Sequence, residues 1–100
     1  MGYQLQVDRQ RIAEFCRRWK VEELSLFGSV LRENFRPNSD VDVLVSFAPD
    51  VDLDIDDWLS MIEELKIIFD RDVDLVDKSG LRNPFRRHAI LSAREVLYAA

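Results

Sequence analysis

Two aspartates, Asp40 and Asp42, stand one residue apart in an otherwise apolar run that continues through Val43, Leu44 and Val45. On an extended strand successive side chains alternate between faces, so both carboxylates point one way and Val41, Val43 and Val45 point the other, into a core. The two Cα atoms are then roughly 6.5–7 Å apart, near enough for the side chains to converge on one hard cation. Like charges held side by side in a half-buried sheet repel, and one would be driven to protonate unless a cation sits there. Mg²⁺ suits such a place, because it takes carboxylate oxygens and keeps its other positions for water and substrate phosphates. Upstream, Gly28-Ser29 follows the apolar Leu24, Leu26 and Phe27 and reads as a strand-to-helix turn. A glycine there lets a phosphate approach the backbone, and the N-terminus of the next helix favours an anion. Metal on one side and a phosphate cradle on the other is the layout of phosphoryl or nucleotidyl transfer. A third acid completes such a cluster if a further strand, Asp72-Val73-Asp74-Leu75-Val76, lies alongside. Asp72 and Asp74 share one face of it, and Asp74 is mid-strand; Asp72 is nearer the end and Asp77 lies past it.

The elements that must hold these residues can be read from periodicity. Residues 8–20 read as a helix, with Asp8 as N-cap and Ile12, Phe15, Cys16 and Trp19 at helical spacing; Arg9, Arg11, Arg17 and Arg18 fall on the wet side. Strands are expected at 23–27 and 40–47, with a short helix from Ser29 to about Glu33 and a break at Pro37-Asn38-Ser39. The acidic loop Pro49–Asp57 invites a calcium reading, but counting from Asp52 puts Asp57 where an EF-hand loop needs glycine. Asp54 or Asp56 is better explained as the N-cap of a helix over 56–69 whose core side is Trp58, Leu59, Ile62, Leu65, Ile68 and Phe69. After Gly80, Asn83-Pro84 starts a last helix expected to run to about Leu97, packing Phe85, Ile90, Leu91, Val96 and Leu97 on the sheet. Strands separated by helices imply an α/β layer fold. His88 reads as a surface residue. Its neighbours Arg82, Arg86 and Arg87 are either solvated charge or a contact for triphosphate or an acidic partner, and Arg32 and Arg36 carry the same ambiguity.

Gly28-Ser29, ten residues, then Asp40-x-Asp42 resembles the signature of the minimal nucleotidyltransferase family, within the DNA polymerase β-like superfamily. The wording around it, Phe27-Gly28-Ser29 and Arg36-Pro37-Asn38-Ser39-Asp40, is similar to the small prokaryotic members paired with HEPN toxins. The resemblance covers nearly the whole chain and implies an α/β (α+β) fold: a mixed sheet of three or more strands backed by helices, with a site open on one side. It implies that Asp40 and Asp42 hold the Mg²⁺ of bound ATP, and that Ser29 and the backbone after Gly28 hold the β- and γ-phosphates. It also implies that Asp74, in the Val-Asp-Leu-Val form usual for the third aspartate, joins a second Mg²⁺ about 3.5–4 Å from the first. Asp74 could instead act as general base toward the attacking hydroxyl. The implied acceptor is a tyrosine of a HEPN ribonuclease toxin, which would make this chain a protein adenylyltransferase and an antitoxin.

Composition is consistent with this. One hundred residues are expected to form one domain over 1–100, and 47% apolar with 33% charged residues is the balance of an ordinary globule. No run approaches the roughly 20 apolar residues of a membrane helix, and no signal peptide is read at the start. The lone Cys16 excludes an internal disulfide, fits the cytoplasm, and reads as core beside Phe15 and Trp19. A net charge of −5 speaks against nucleic-acid binding, which relies on basic surface. Oligomeric state is not readable, so a homo-oligomer stays open. Three rivals stand beside the transfer reading: an antitoxin that only masks its partner, a nucleotidyltransferase for a small molecule or RNA end, and a structural metal-binding domain indifferent to ATP.

Overall fold

In a computed structural model, which describes residues 7–31 and 40–100, the chain forms a mixed α+β fold. The elements are α1 (Arg9–Trp19), β1 (Val21–Phe27), β2 (Val41–Phe47), α2 (Ile55–Phe69), β3 (Val73–Asp77), α3 (Pro84–Ser92) and β4 (Glu95–Ala99). Among the described residues the sheet has four strands in the order β3-β2-β1-β4. β1 runs antiparallel to both β2 and β4, whereas β2 and β3 are parallel. A parallel pair needs a crossover, and α2 supplies it.

Alternation along the strands divides the interior in two. Val41, Val43 and Val45 of β2 are fully buried on one face with Leu24 and Leu26 of β1. They meet Ile12, Phe15 and Cys16 of α1 and Met61, Leu65 and Phe69 of α2. Burying a side chain of this size contributes about 1.5–3 kcal/mol, so this is the principal core. On the opposite face a smaller cluster joins Phe27 and Leu44 to Leu81 and Ile90, which seats α3 there.

The helix starts agree with the capping chemistry. Asp8 accepts from the backbone N–H groups of Gln10 and Arg11. Asp54 accepts from Asp57 N at 2.8 Å while Asp57 reaches back to Asp54 N, a reciprocal capping box. Two acids of the acidic loop are therefore engaged in starting α2. Asn83 caps α3 through the N–H groups of Phe85 and Arg86, with Pro84 in the first turn.

The C-terminal segment corrects the expected helix to Leu97. α3 stops at Ser92, and Glu95–Ala99 is a strand paired with β1. Local spacing of Ile90, Leu91, Val96 and Leu97 permits a helix, but the free edge of β1 offers a row of backbone donors and acceptors that only an added strand can satisfy. An ion pair between Arg94 Nη1 and Glu23 Oε2, 2.7 Å apart, fastens the turn into β4 onto β1. Three packing expectations also fail, Val96 being 42% exposed in β4, where alternation turns its neighbour Leu97 to the core instead. Phe85 is 86% exposed because α3 meets the sheet through Ile90, one helical turn and more beyond it. Leu59 is 52% exposed because the buried stripe of α2 is centred on Met61 and Leu65, leaving Leu59 on its flank. The expected helix from Ser29 to Glu33 appears in its described part as a single 3₁₀ turn, Gly28–Leu31. The remainder, with Arg32, Arg36 and Pro37-Asn38-Ser39, lies outside the described residues.

Cys16 is fully buried, and that burial pushes its thiol up to about 12. A raised value keeps the sulfur protonated at any ordinary pH, so it is a poor nucleophile. At mildly alkaline pH the native protein should resist a thiol-reactive disulfide reagent and react only as it unfolds. Native-state labelling at the rate of a free thiol would contradict this packing.

Candidate active site

The site is assembled by two registers. In the antiparallel pair, Phe27 at the end of β1 lies opposite Asp42 of β2. In the parallel pair, Asp42 lies beside Asp74 of β3. Neighbouring strands are about 4.8 Å apart, and residues in register project to the same face, so Asp42 and Asp74 share that face on adjacent strands. Asp40 immediately precedes β2, two residues ahead of Asp42 and on the same side by alternation. A bond from Val41 N to Asp72 O, 2.9 Å long, ties the start of β2 to the chain entering β3 and sets that register. Asp40 and Asp74 are exposed, and Asp42 is half-buried between them and Gly28.

Gly28 carries the tightest constraint. Its φ is +74°, in the left-handed region that side chains disfavour. A Cβ placed on it would lie 2.2 Å from Oδ2 of Asp42 and 3.2 Å from its Cγ. The Asp42 carboxylate therefore rests against the bare α-carbon of Gly28, and the turn and the acid share one small volume. Ser29 is the next backbone position of the turn; its side chain lies outside the description.

The three acids of the β3 region separate by geometry. Asp74 is the one in register with Asp42. Asp72 precedes the strand and pairs with Lys66 Nζ at 3.6 Å. Asp77 is opposite Val45, on the other face, and caps the next turn by accepting from Ser79 N at 3.0 Å and from Ser79 Oγ at 2.9 Å. Among the described residues no group of three His, Cys, Asp or Glu side chains is arranged to hold a metal ion. The donor set still suits Mg²⁺. That ion is usually held by one or two carboxylates with substrate phosphates and water completing the shell, and Asp42 beside Asp74, with the bare Gly28 next to them, offers hard oxygens and room for a phosphate.

The remaining candidates lie around α3. His88 is exposed, its Nε2 3.4 Å from Ser92 Oγ. Arg87 donates to Lys78 O at 3.3 Å. Arg86 borders a cavity of about 360 Å³ that also has Gly28 in its wall. Periodicity gives no sign of this cavity; its trace in the sequence is the pair of small residues Ala89 and Ala93, one helical turn apart. A larger cavity, about 440 Å³ between Trp58, Phe47 and the acidic loop, sits at the opposite end of β2 from Asp42.

Comparison with known proteins identifies the family. The profile of the nucleotidyltransferase domain matches residues 9–97. A Methanocaldococcus jannaschii protein assigned as a protein adenylyltransferase is 33% identical over 73 residues, 73% of each chain. The protein adenylyltransferase MntA of Thermococcus cleftensis is 35% identical over 88 residues, covering 85% of this chain and 81% of MntA. In three dimensions the chain is similar to one in a toxin–antitoxin complex crystallised with AMP-PNP, with a TM-score of 0.73, 25% identity, and coverage of 94% of this chain and 75% of that one. The chain belongs to the nucleotidyltransferase domain family, and its fold is the nucleotidyltransferase fold. No helix among the described residues is long and apolar enough to cross a membrane.

Proposed function

We propose that this protein transfers the adenylyl group of ATP to a tyrosine hydroxyl of a HEPN ribonuclease toxin and so acts as its antitoxin, with residues 1–100 forming one minimal catalytic domain. The observation that carries the reading is the packing of the Asp42 carboxylate against Gly28, with Asp74 in register beside it. The relative MntA, named as a protein adenylyltransferase, supports the protein acceptor, and the fold neighbour solved as a toxin–antitoxin complex with AMP-PNP supports both nucleotide and partner.

In this reading Asp40, Asp42 and Asp74 hold Mg²⁺, and Gly28 and Ser29 form the turn that receives the phosphates. Mg²⁺, when bound, would neutralise triphosphate charge and acidify the acceptor hydroxyl. The acidic residues orient the α-phosphorus toward the acceptor oxygen, which forms the new P–O bond as the bond to the bridging oxygen of pyrophosphate breaks. The hydroxyl proton leaves either to water, with Asp74 holding Mg²⁺, or to the Asp74 carboxylate acting instead as general base; its exposure next to Asp42 supports either role.

The test is incubation with ATP labelled on the α-phosphate, Mg²⁺ and the product of the adjacent reading frame, expected to be a HEPN protein. Label should move to the partner while its ribonuclease activity falls. Silencing without label would instead establish masking by contact, and label on a small molecule or RNA end with none on the protein would move the acceptor elsewhere.

A further inference from the structure

Two surface features of opposite charge stand apart from the acids of the active site. The first is the cavity of about 440 Å³ beside the acidic loop, with apolar walls from Phe47, Val51, Leu53, Ile55 and Trp58 and with Asp52 in its lining. The Phe47 and Trp58 rings lie 6.4 Å apart and tilted by 55°, an arrangement that a further ring can join by its edge. Ile55 and Leu59, four residues apart on one face of α2, are 68% and 52% exposed and continue the apolar surface. Residues 48–62 carry five aspartates and no lysine or arginine. Asp54 and Asp57 are engaged in starting α2, but among the described residues no ion pair or side-chain hydrogen bond engages Asp50, Asp52 or Asp56. The second feature is the start of α3. Phe85 is 86% exposed, and its neighbours Arg82 and Arg86 are exposed with no ion pair among the described residues. Residues 78–94 carry five lysines and arginines and no acid. Neither Phe85 nor Arg82 lines the cavity, so within one copy the two features leave each other uncovered.

Contiguous apolar surface rimmed by polar residues marks an interaction site, and here both halves of a fitting contact are present on one chain. We propose that a second copy of this chain covers both features: Phe85 of one copy enters the Phe47–Trp58 cavity of the other, and Arg82 and Arg86 meet Asp50, Asp52 and Asp56. A net charge of −5 makes two copies repel at long range, but salt screens that repulsion beyond about 10 Å, whereas the patches that touch are opposite in sign. An aromatic anchor seated in an apolar pocket carries most of the energy of such a contact, and the surrounding charges fix its orientation. Insertion in both directions closes a two-fold pair; insertion in one direction builds a head-to-tail chain. The inference does not rest on the transfer reading, since neither feature contains Gly28, Asp40, Asp42 or Asp74.

Sedimentation velocity of the whole chain alone, from about 1 μM to about 1 mM, should show association that grows with concentration. Phe85→Ser and Asp52→Lys should each weaken it by about tenfold or more. Both side chains are exposed, so circular dichroism should be unchanged; Arg82→Glu gives the same readout as Phe85→Ser if that variant is perturbed. Mixing Phe85→Ser with Asp52→Lys should recover part of the lost association, because the mixture holds one intact cavity and one intact Phe85 while neither variant alone has both. A wild type that stays monomeric to about 1 mM overturns the inference and leaves the cavity to a basic segment of another protein. Association that both variants keep at wild-type strength overturns it too, since the copies then meet elsewhere. A mixture that recovers nothing overturns the pairing of these two patches. Transfer activity enters none of these readouts, so the two readings stand or fall separately.

Discussion

Gly28→Ala should lower adenylyl transfer by about a hundredfold or more, the scale on which a small misplacement of catalytic groups is felt. The added methyl would start 2.2 Å from Asp42 Oδ2, well inside any real contact distance. The carboxylate is the far end of a rotatable side chain, so it is the part that moves, and it moves out of the place where the phosphate and cation would meet. Stability should suffer less. Holding alanine at a φ of +74° costs about 1–2 kcal/mol, which for a domain of this size lowers Tm by roughly 5–10 °C. The informative result is the split between the two readouts: a folded protein, seen by circular dichroism and thermal melting, with little transfer. Transfer at the wild-type rate would mean that Asp42 does not need to rest against the turn.

Asp42→Asn should have the larger effect on chemistry and the smaller on the fold. The carboxamide keeps the shape of the side chain and loses its charge, so in the proposed site a cation would be held less well. Charge stabilisation by metal in such sites amounts to several kcal/mol, so transfer should fall about a thousandfold or more. Removing one of several neighbouring negative charges should leave Tm unchanged or raise it slightly. Measured together, a melt and an assay with α-labelled ATP separate this from unfolding. An Asn variant that transfers at the wild-type rate would remove Asp42 from the cation site. Because both substitutions act on one contact, the double variant should be scarcely worse than Asp42→Asn alone.

Much of this architecture was legible because it is written in local periods. Val41, Val43 and Val45 alternate with Asp40, Asp42 and Leu44, and the strand buries the valines completely while Asp42 stays half-open. Ile12, Phe15 and Cys16 follow helical spacing, and α1 buries those three. Asp8, Asp54 and Asn83 are residue types that satisfy orphaned N–H groups, and each caps a helix. These features depend on side-chain direction and on neighbours within a turn or two, so no knowledge of the rest of the chain is required.

Long-range pairing is another matter. Glu95–Ala99 is a strand because β1 has an open edge, a fact of the sheet and not of that segment. Asp74, and neither Asp72 nor Asp77, faces Asp42 because parallel pairing slides β3 into one particular register; a shift of one residue would turn Asp74 to the other face. What the sequence by itself determined is the set of amphipathic elements and the alternation that puts Asp40 and Asp42 on one side of a strand. What only the tertiary structure decided is that the Asp42 carboxylate fills the space of Gly28's missing side chain, that Asp74 stands next to it, and that a cavity bordered by Arg86 opens onto the same glycine. Local periodicity sets which way a side chain points, whereas strand register and the seating of α3 set what it meets.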